Sequence, residues 1–265
     1  MCLFCRGSAR AQLVASADWS HRFHQVIARG RHDYERSPYS GRQVETNLSG
    51  LMQAVSIPAA GLTLAGDLML PAQARGLVAF AHGSGSSRLS PRNRYVAEVL
   101  HAAGLATLLF DLLTQQEAAE DATGRALRFD IPLLQERLLA AIDWCVQQPQ
   151  LEPLPLGLFG ASTGAAAALE AAAARPQLVH ALVARGGRPD LAFDALALVR
   201  CPTLLIVGSL DVDVLELNAW AAAHLRASHD LLVIPGAGHL FSEPGTLQQA
   251  ATAARDWFLQ TLDPS

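Results

Sequence analysis

The chain has 265 residues and a mass of 28.2 kDa, and its 51% of apolar residues suffice for the core of one large α/β domain or two small ones. The formal net charge is −4, and residues 51–265 carry 13 Arg against 20 acidic residues, which argues against a nucleic-acid-binding surface. All 20 basic residues are Arg. Without a Lys, P-loop nucleotide hydrolysis, Schiff-base chemistry and the Ser-x-x-Lys dyad are excluded.

Residues 1–50 show no sustained helical or strand periodicity, and we expect them to form an N-terminal extension of unknown role before an α/β domain at 51–265. Their C-x-x-C pair, Cys2 and Cys5, has no second Cys or His pair to complete a metal site, so we expect no bound metal. No apolar run approaches the ~18 residues of a membrane span. Because a signal-peptide h-region is missing too, we expect a cytoplasmic protein.

Two strands, at residues 55–57 and 62–70, flank a turn at 58–61 and predict an antiparallel edge. Residues 112–129 are expected to form a long polar connection. Short apolar strands otherwise alternate with helices, which predicts a mostly parallel central sheet with helices on both faces and no large cap domain. The further strands are expected at 77–81, 105–110, 156–159, 178–184, 203–207 and 231–234, and the helices at 91–103, 131–146, 163–174, 214–225 and 246–262.

The pentapeptide GASTG, residues 160–164, lies between a predicted strand and a predicted helix, as a G-x-S-x-G nucleophile elbow requires. Such a turn exposes the Ser oxygen at the carboxyl edge of the sheet, and the following helix offers free backbone N–H groups to a developing oxyanion. We therefore predict Ser162 as a nucleophile. The alternative is a glycine-rich turn whose Ser only caps the helix.

A serine hydroxyl needs a base, and the base needs an orienting acid. Asp211 comes just past the predicted strand at 203–207, and His239 lies in the glycine-rich loop after the last predicted strand. The chain order Ser162, Asp211, His239 is the order expected for this architecture. Asp213 is the rival acid, but its position also suits the first turn of the next helix.

The loop at residues 82–87, called the oxyanion loop below, follows the strand at 77–81 and reads HGSGSS. Its glycines allow backbone N–H groups to turn toward a substrate oxygen. We predict that the backbone N–H groups of Ser84 and Thr163 form the oxyanion hole. The alternatives for this run are a flexible loop or a phosphate cradle, whose usual Lys is missing.

Three arginines follow the oxyanion loop or a strand at the same sheet edge, namely Arg88, Arg185 and Arg188. Any of them could bind an anionic substrate group through two parallel hydrogen bonds. The alternative is that they form structural hydrogen bonds and ion pairs, for instance with Asp190.

The motifs HGSGSS, GASTG, GSLD and GAGH together resemble the α/β-hydrolase fold, and more narrowly its dienelactone-hydrolase-like group. The stretches FAHGSGSSRLSPRNRYVA, GLATLLFDLLT, RGGRPDL and PTLLIVG are similar to a bacterial branch in which such a domain occurs alone or beside a phosphoribosyltransferase domain. The resemblance covers about residues 53–262. It implies Ser162 as the nucleophile, Asp211 and His239 as its triad partners, and Ser84 and Thr163 as the oxyanion donors. Dienelactone hydrolases proper, however, use a Cys nucleophile where this chain has Ser162.

These residues predict an esterase that cleaves small carboxylic esters through an acyl-enzyme, with a small-molecule ester as its partner and no cofactor. Two alternatives stay open. An acyltransferase would use the same triad and pass the acyl group to an alcohol or amine. A binding or regulatory module would keep the fold with an idle triad, and a fluorophosphonate would not label it.

Overall fold

A computed structural model describes residues 52–124 and 126–262. The extension predicted at residues 1–50, with Cys2 and Cys5, lies outside the described residues. The strands are β1 (Met52–Ala59), β2 (Leu62–Met69), β3 (Leu77–Ala81), β4 (Ala106–Phe110), β5 (Leu156–Ala161), β6 (Val179–Arg185), β7 (Thr203–Gly208) and β8 (His229–Ile234). They form one sheet in the order β1-β2-β4-β3-β5-β6-β7-β8. β2 pairs antiparallel with β1 and β4, and the other pairings are parallel.

Helices cover both faces of this sheet, which explains why its parallel strands are continuous apolar runs. They are α1 (Pro91–Ala102), α2 (Gln115–Gly124), α3 (Ile131–Cys145), α4 (Thr163–Ala174), α5 (Phe193–Leu196), α6 (Val212–Ala222) and α7 (Thr246–Thr261). On one face, Leu100 of α1 and Phe258 of α7 belong to the same buried cluster as Phe80 of β3. On the other face, Leu138 of α3 and Leu169 of α4 are buried in a second cluster.

The prediction of a polar connection over residues 112–129 is wrong, because α2 and a 3₁₀ turn at Leu127–Phe129 lie there. α2 begins with a capping box: Glu117 N–H donates to Thr114 Oγ1 (3.2 Å), and Thr114 N–H donates to Glu117 Oε2 (2.7 Å). Its sequence, QQEAAEDATG, carries no apolar stripe, so periodicity gives no sign of a helix.

The mostly parallel sheet, the helices on both faces and the antiparallel N-terminal edge confirm the predicted α/β fold. β5 runs two residues past its predicted end, because Gly160 and Ala161 pair with Ala184 and Arg185 of β6. Within the described residues, no helix is long and apolar enough to cross a membrane. The carboxyl ends of the parallel strands meet at one edge, where ligand sites of such sheets form.

Candidate active site

Ser162 occupies a sharp turn between β5 and α4. Its φ is +52° and its ψ is −120°, a conformation that residues with side chains rarely adopt. Its side chain makes no capping hydrogen bond to α4, which removes the alternative that Ser162 only caps the helix. The main chain holds the turn, because Ser162 N–H donates to Arg185 O (3.2 Å) and Ser162 O accepts from Arg188 N–H (3.1 Å).

Close packing around this turn requires both glycines of GASTG. A Cβ on Gly160 would lie 2.5 Å from Ala165 Cα, and a Cβ on Gly164 would lie 2.2 Å from Ala81 O. Either distance is a clash with main-chain atoms, so only glycine lets α4 approach the ends of β3 and β5 this closely. The G-x-S-x-G spacing therefore has a steric cause in this chain.

His239 and Asp211 are hydrogen-bonded to each other at the same sheet edge. His239 Nδ1 lies 2.7 Å from Asp211 Oδ2, and the two side chains are 31% and 10% exposed. Because the carboxylate accepts a hydrogen bond from Nδ1–H, the lone pair of the neutral ring is on Nε2. Asp213, the rival acid, is exposed in the first turn of α6. The acid that the structure brings to His239 is Asp211.

The end of strand β6 links the Ser162 turn to His239. The carbonyl of Arg185 accepts the Ser162 N–H, and Gly186 comes next with a φ of +52°. A Cβ on Gly186 would lie 3.5 Å from His239 Nδ1 and 3.4 Å from His239 O. Gly186, which follows the main-chain partner of Ser162, is therefore packed against His239.

The loop after β3 packs directly against the turn that carries Ser162. A Cβ on Gly83 would lie 3.0 Å from Ser162 Cβ. The next N–H, that of Ser84, makes no hydrogen bond to any described residue. Thr163 is the first residue of α4, where backbone N–H groups have no partner within the helix. The two predicted oxyanion donors therefore lie on the segments on either side of this contact, and neither N–H has a hydrogen-bond partner among the described residues.

His82, to which the sequence analysis assigned no role, links the oxyanion loop to the end of β4. Leu112 N–H donates to His82 Nε2 (3.0 Å), and His82 Nδ1 lies 2.9 Å from Gly83 O. Because Nε2 accepts a hydrogen bond, Nδ1 carries the proton and donates to the Gly83 carbonyl. Burial lowers the pKa of His82, which keeps the ring neutral.

Acidification is expected to weaken the fold through His82. Its pKa is lowered from 6.5 by burial in the folded state, so the unfolded chain takes up the proton first. The stability that neutral His82 contributes is present above pH ~6.5 and is lost as the pH falls toward the folded-state pKa. The free energy of unfolding, measured with urea at about pH 7.5 and about pH 5.5, should fall less between these pH values in His82→Gln than in the wild type. Equal losses in the two proteins would contradict this expectation.

Two of the three arginines predicted to bind substrate form ion pairs. Arg88 donates to Asp111 through its main-chain N–H (2.7 Å) and through Nη1 (2.5 Å), and its Nε lies 3.5 Å from Asp67 Oδ1. Arg188 forms a two-point ion pair with Asp190, with both hydrogen bonds at 2.8 Å. Because Arg188 is also buried, a structural ion pair fits this residue better than contact with substrate.

Arg185 is buried in the core below the sheet edge, with 7% of its surface exposed. Its Nη2 donates to Asn93 Oδ1 (3.1 Å), and the guanidinium lies 5.7 Å from the ring centre of Phe159 and 5.8 Å from that of Phe241. Burial, together with the charge of Arg92, lowers the pKa of Arg185 to about 9. The predicted contact between Arg185 and substrate does not fit this burial.

A cavity of about 720 Å³ lies beside the oxyanion loop. Its walls come from that loop, from the turn after β4 and from α2, and they include Ser84, Asp111 and Arg128. Ser162, Asp211 and His239 are not among the described residues that line it, but Gly83 lines it and packs against Ser162. Its volume lies in the range of small-molecule sites.

The two described cysteines, Cys145 and Cys201, are buried and unpaired. Burial raises the pKa of Cys145 to about 12 and that of Cys201 to about 11. Neither thiol is therefore a ready nucleophile near neutral pH. Among the residues that the structure describes, no group of His, Cys, Asp and Glu is arranged to hold a metal ion.

A family model described as "Dienelactone hydrolase family" matches residues 65–263 of the chain. The chain belongs to the dienelactone hydrolase family. The match includes the oxyanion loop and the residues Ser162, Asp211 and His239. A solved dienelactone hydrolase from Anabaena variabilis is 55% identical, with a TM-score of 0.79, and the match covers 80% of this chain and 98% of that one. The resemblance that the sequence motifs indicated is confirmed at the level of the family.

Relatives of this dienelactone hydrolase family member include proteins of other lengths and names. Two Mycobacterium tuberculosis proteins named "Putative phosphoribosyl transferase" are 56% identical over 210 residues, which are 79% of this chain and 46% of each relative. The chain thus matches less than half the length of those relatives. An alpha-beta serine hydrolase homologue from Coxiella burnetii has the same fold at 18% identity, with a TM-score of 0.64 over 81% of this chain and 99% of that one.

Proposed function

We propose that this chain is a serine hydrolase that cleaves small carboxylic esters through an acyl-enzyme. The observation that carries the proposal is the 2.7 Å hydrogen bond between His239 Nδ1 and Asp211 Oδ2, formed at the sheet edge where Ser162 occupies a strained elbow. Membership of the dienelactone hydrolase family supports a hydrolase. In this chain the elbow carries the hydroxyl of Ser162, so the nucleophile is an oxygen.

The first half of the reaction forms the acyl-enzyme. His239 Nε2 takes the proton of Ser162 while Ser162 Oγ bonds to the ester carbonyl carbon, and Asp211 stabilises the imidazolium. The carbonyl oxygen becomes an oxyanion and accepts hydrogen bonds from the N–H groups of Ser84 and Thr163. The bond between the carbon and the alcohol oxygen then breaks, and His239 gives its proton to the leaving oxygen.

The second half of the reaction releases the acid. His239 takes a proton from water, the resulting hydroxide attacks the acyl carbon, and Ser162 leaves with the proton that His239 returns. The cavity of about 720 Å³ beside the oxyanion loop supports short acyl groups as substrates, because loops and parts of β2, α2 and α3 wall it without a separate cap domain.

A fluorophosphonate probe tests the proposal, since it reacts with activated serines. We expect one adduct, mapped to Ser162 by mass spectrometry, and faster turnover of 4-nitrophenyl acetate and butyrate than of the octanoate ester. Labelling of Ser162 with acyl transfer to an added alcohol in place of hydrolysis would favour an acyltransferase. The absence of both labelling and turnover would contradict an active triad.

A further inference from the structure

The oxyanion loop is anchored to the end of β4 on both sides. At its start, His82 Nε2 accepts Leu112 N–H (3.0 Å), and His82 Nδ1 donates to Gly83 O (2.9 Å). Directly after the loop, the main-chain N–H of Arg88 donates to Asp111 Oδ1 (2.7 Å). Asp111 and Leu112 are consecutive residues, so one short segment of the chain holds both sides of the loop.

Asp111 binds Arg88 through its main chain and through its side chain. Oδ1 accepts the main-chain N–H, while Oδ2 accepts Nη1 at 2.5 Å. The guanidinium is also held by Asp67 of β2, because Arg88 Nε lies 3.5 Å from Asp67 Oδ1. The side chains of Arg88 and Asp111 are 27% and 18% exposed, so solvent screens this charged pair only in part. The Asp111 carboxylate therefore fixes where the chain leaves the oxyanion loop.

Between these two anchors lies a tight turn that contains a proposed oxyanion donor. Ser86 N–H donates to Gly83 O (3.1 Å), and Gly85, the third residue of the turn, has a φ of +68°. A positive φ at that position is typical of a type II turn. Ser84 is the second residue, so its N–H takes no part in the bond that closes the turn. The direction of this N–H follows the orientation of the whole turn, which the two anchors set.

The orientation of the turn matters because the turn packs against the nucleophile. A Cβ on Gly83 would lie 3.0 Å from Ser162 Cβ. An oxyanion donor acts only at about 2.7–3.1 Å from the oxygen, so a small rotation of the turn takes the Ser84 N–H out of reach. The other proposed donor, that of Thr163, is held by α4 instead. Loss of an anchor should therefore impair one of the two donors.

We propose that Asp111 is a positioning residue of the oxyanion hole, which sets the direction of the Ser84 N–H by holding Arg88. The inference rests on the proposed ester hydrolysis and deepens it, because it adds a residue that acts through the main chain of another segment. It also gives Arg88 a role in the site other than the contact with substrate that the sequence predicts.

Replacement of Asp111 by Ala removes both acceptors of this carboxylate from Arg88. We expect kcat for 4-nitrophenyl butyrate to fall by about 10- to 100-fold, with KM within about threefold of the wild type, because the oxyanion forms only on the way to the transition state. Asp111→Asn should recover part of the loss, since its amide oxygen can still accept the main-chain N–H. Asp143→Ala is the matched control and should leave kcat unchanged, because Asp143 forms a two-point pair with Arg175 and does not line the cavity.

A substrate with sulfur in place of the carbonyl oxygen separates positioning from a loss of folded protein. O-4-nitrophenyl thionobutyrate develops its negative charge on sulfur, which is larger than oxygen and accepts N–H hydrogen bonds more weakly. The wild type should favour the oxygen ester, and the ratio of the two kcat/KM values should fall by about tenfold in Asp111→Ala and by less in Asp111→Asn. A structural role alone would lower both rates alike. An unchanged ratio would overturn the proposal.

Hydrogen exchange of residues 82–88 measures the anchor without any reaction. Mass spectrometry of the full-length proteins should show faster exchange there in Asp111→Ala than in the wild type or in Asp143→Ala. Circular dichroism first checks the fold, and Asp111→Asn, which keeps the size of the side chain and one acceptor, carries both measurements if Asp111→Ala is unfolded.

The two measurements together separate this inference from the proposed hydrolysis. A wild type that hydrolyses neither ester, with faster loop exchange in the variant, would contradict the hydrolase and support the anchor. Hydrolysis by the wild type, with an unchanged ratio and unchanged exchange in the variant, would contradict the role of Asp111 alone.

Discussion

Replacement of Ser162 by Ala is expected to lower kcat for 4-nitrophenyl butyrate by roughly 10⁴- to 10⁶-fold. The substitution removes the attacking oxygen, while the main-chain donors of the oxyanion hole and the cavity remain. The residual rate should therefore still exceed that of the uncatalysed reaction. Stopped assays with a sensitive ester measure the fall in kcat and the residual rate. Fluorophosphonate labelling of the same preparation should be lost.

The fold should survive this substitution, because the Ser162 side chain makes no capping hydrogen bond and the main chain holds the turn. Thermal unfolding of Ser162→Ala and of the wild type is thus expected to coincide. Ser56→Ala is a suitable control, since Ser56 is an exposed serine of the edge strand β1, away from the site edge. A Ser162→Ala protein that is folded and keeps most of its turnover would disprove the nucleophile.

The elbow and its surroundings were predictable because their causes are local in sequence. A short apolar run is followed by Gly160, an uninterrupted helix begins at Thr163, and a Cβ on either glycine of the motif would clash with the main chain. The same locality applies to Asp211 and His239, which lie in the short loops just after the ends of β7 and β8. Residues placed at the ends of parallel strands reach the same edge whatever the loops between them do.

The pairing of Arg188 with Asp190 is local and follows from the sequence, whereas the roles of Arg88 and Arg185 are not predictable, because their partners come from other elements. Arg88 is held by Asp67 on β2 and by Asp111 after β4, and Arg185 meets Asn93 of α1. Nothing in the residues around an arginine reports such contacts. Spacing alone therefore could not separate a guanidinium used by the fold from one that is open to a ligand.

The wall of the cavity was missed for a different reason. α2 has no apolar stripe to mark it, and the one local signal is the Thr114 to Glu117 capping box at its start. A polar connection predicted for this segment does not place Arg128 beside the oxyanion loop. A helix that is recognised by its cap rather than by its periodicity would have indicated a walled site at this position.

Asp211→Asn is expected to lower kcat by roughly 10³- to 10⁴-fold while leaving KM nearly unchanged. The carboxylate accepts the Nδ1 proton of His239 at 2.7 Å, which keeps the lone pair on Nε2 for the proton of Ser162. An amide can donate to Nδ1 instead, which favours the tautomer with its proton on Nε2, and the base is then lost.

Asp213→Asn is the matched control, because it changes an exposed acid two residues further along the chain by the same chemistry. The two variants should differ in pre-steady-state kinetics: Asp211→Asn slows acylation and lowers the rate of fluorophosphonate labelling, whereas Asp213→Asn leaves both near the wild-type values. Since both variants carry the same change in net charge, a long-range electrostatic effect would slow them alike. A larger loss in Asp213→Asn would instead make Asp213 the acid that orients His239.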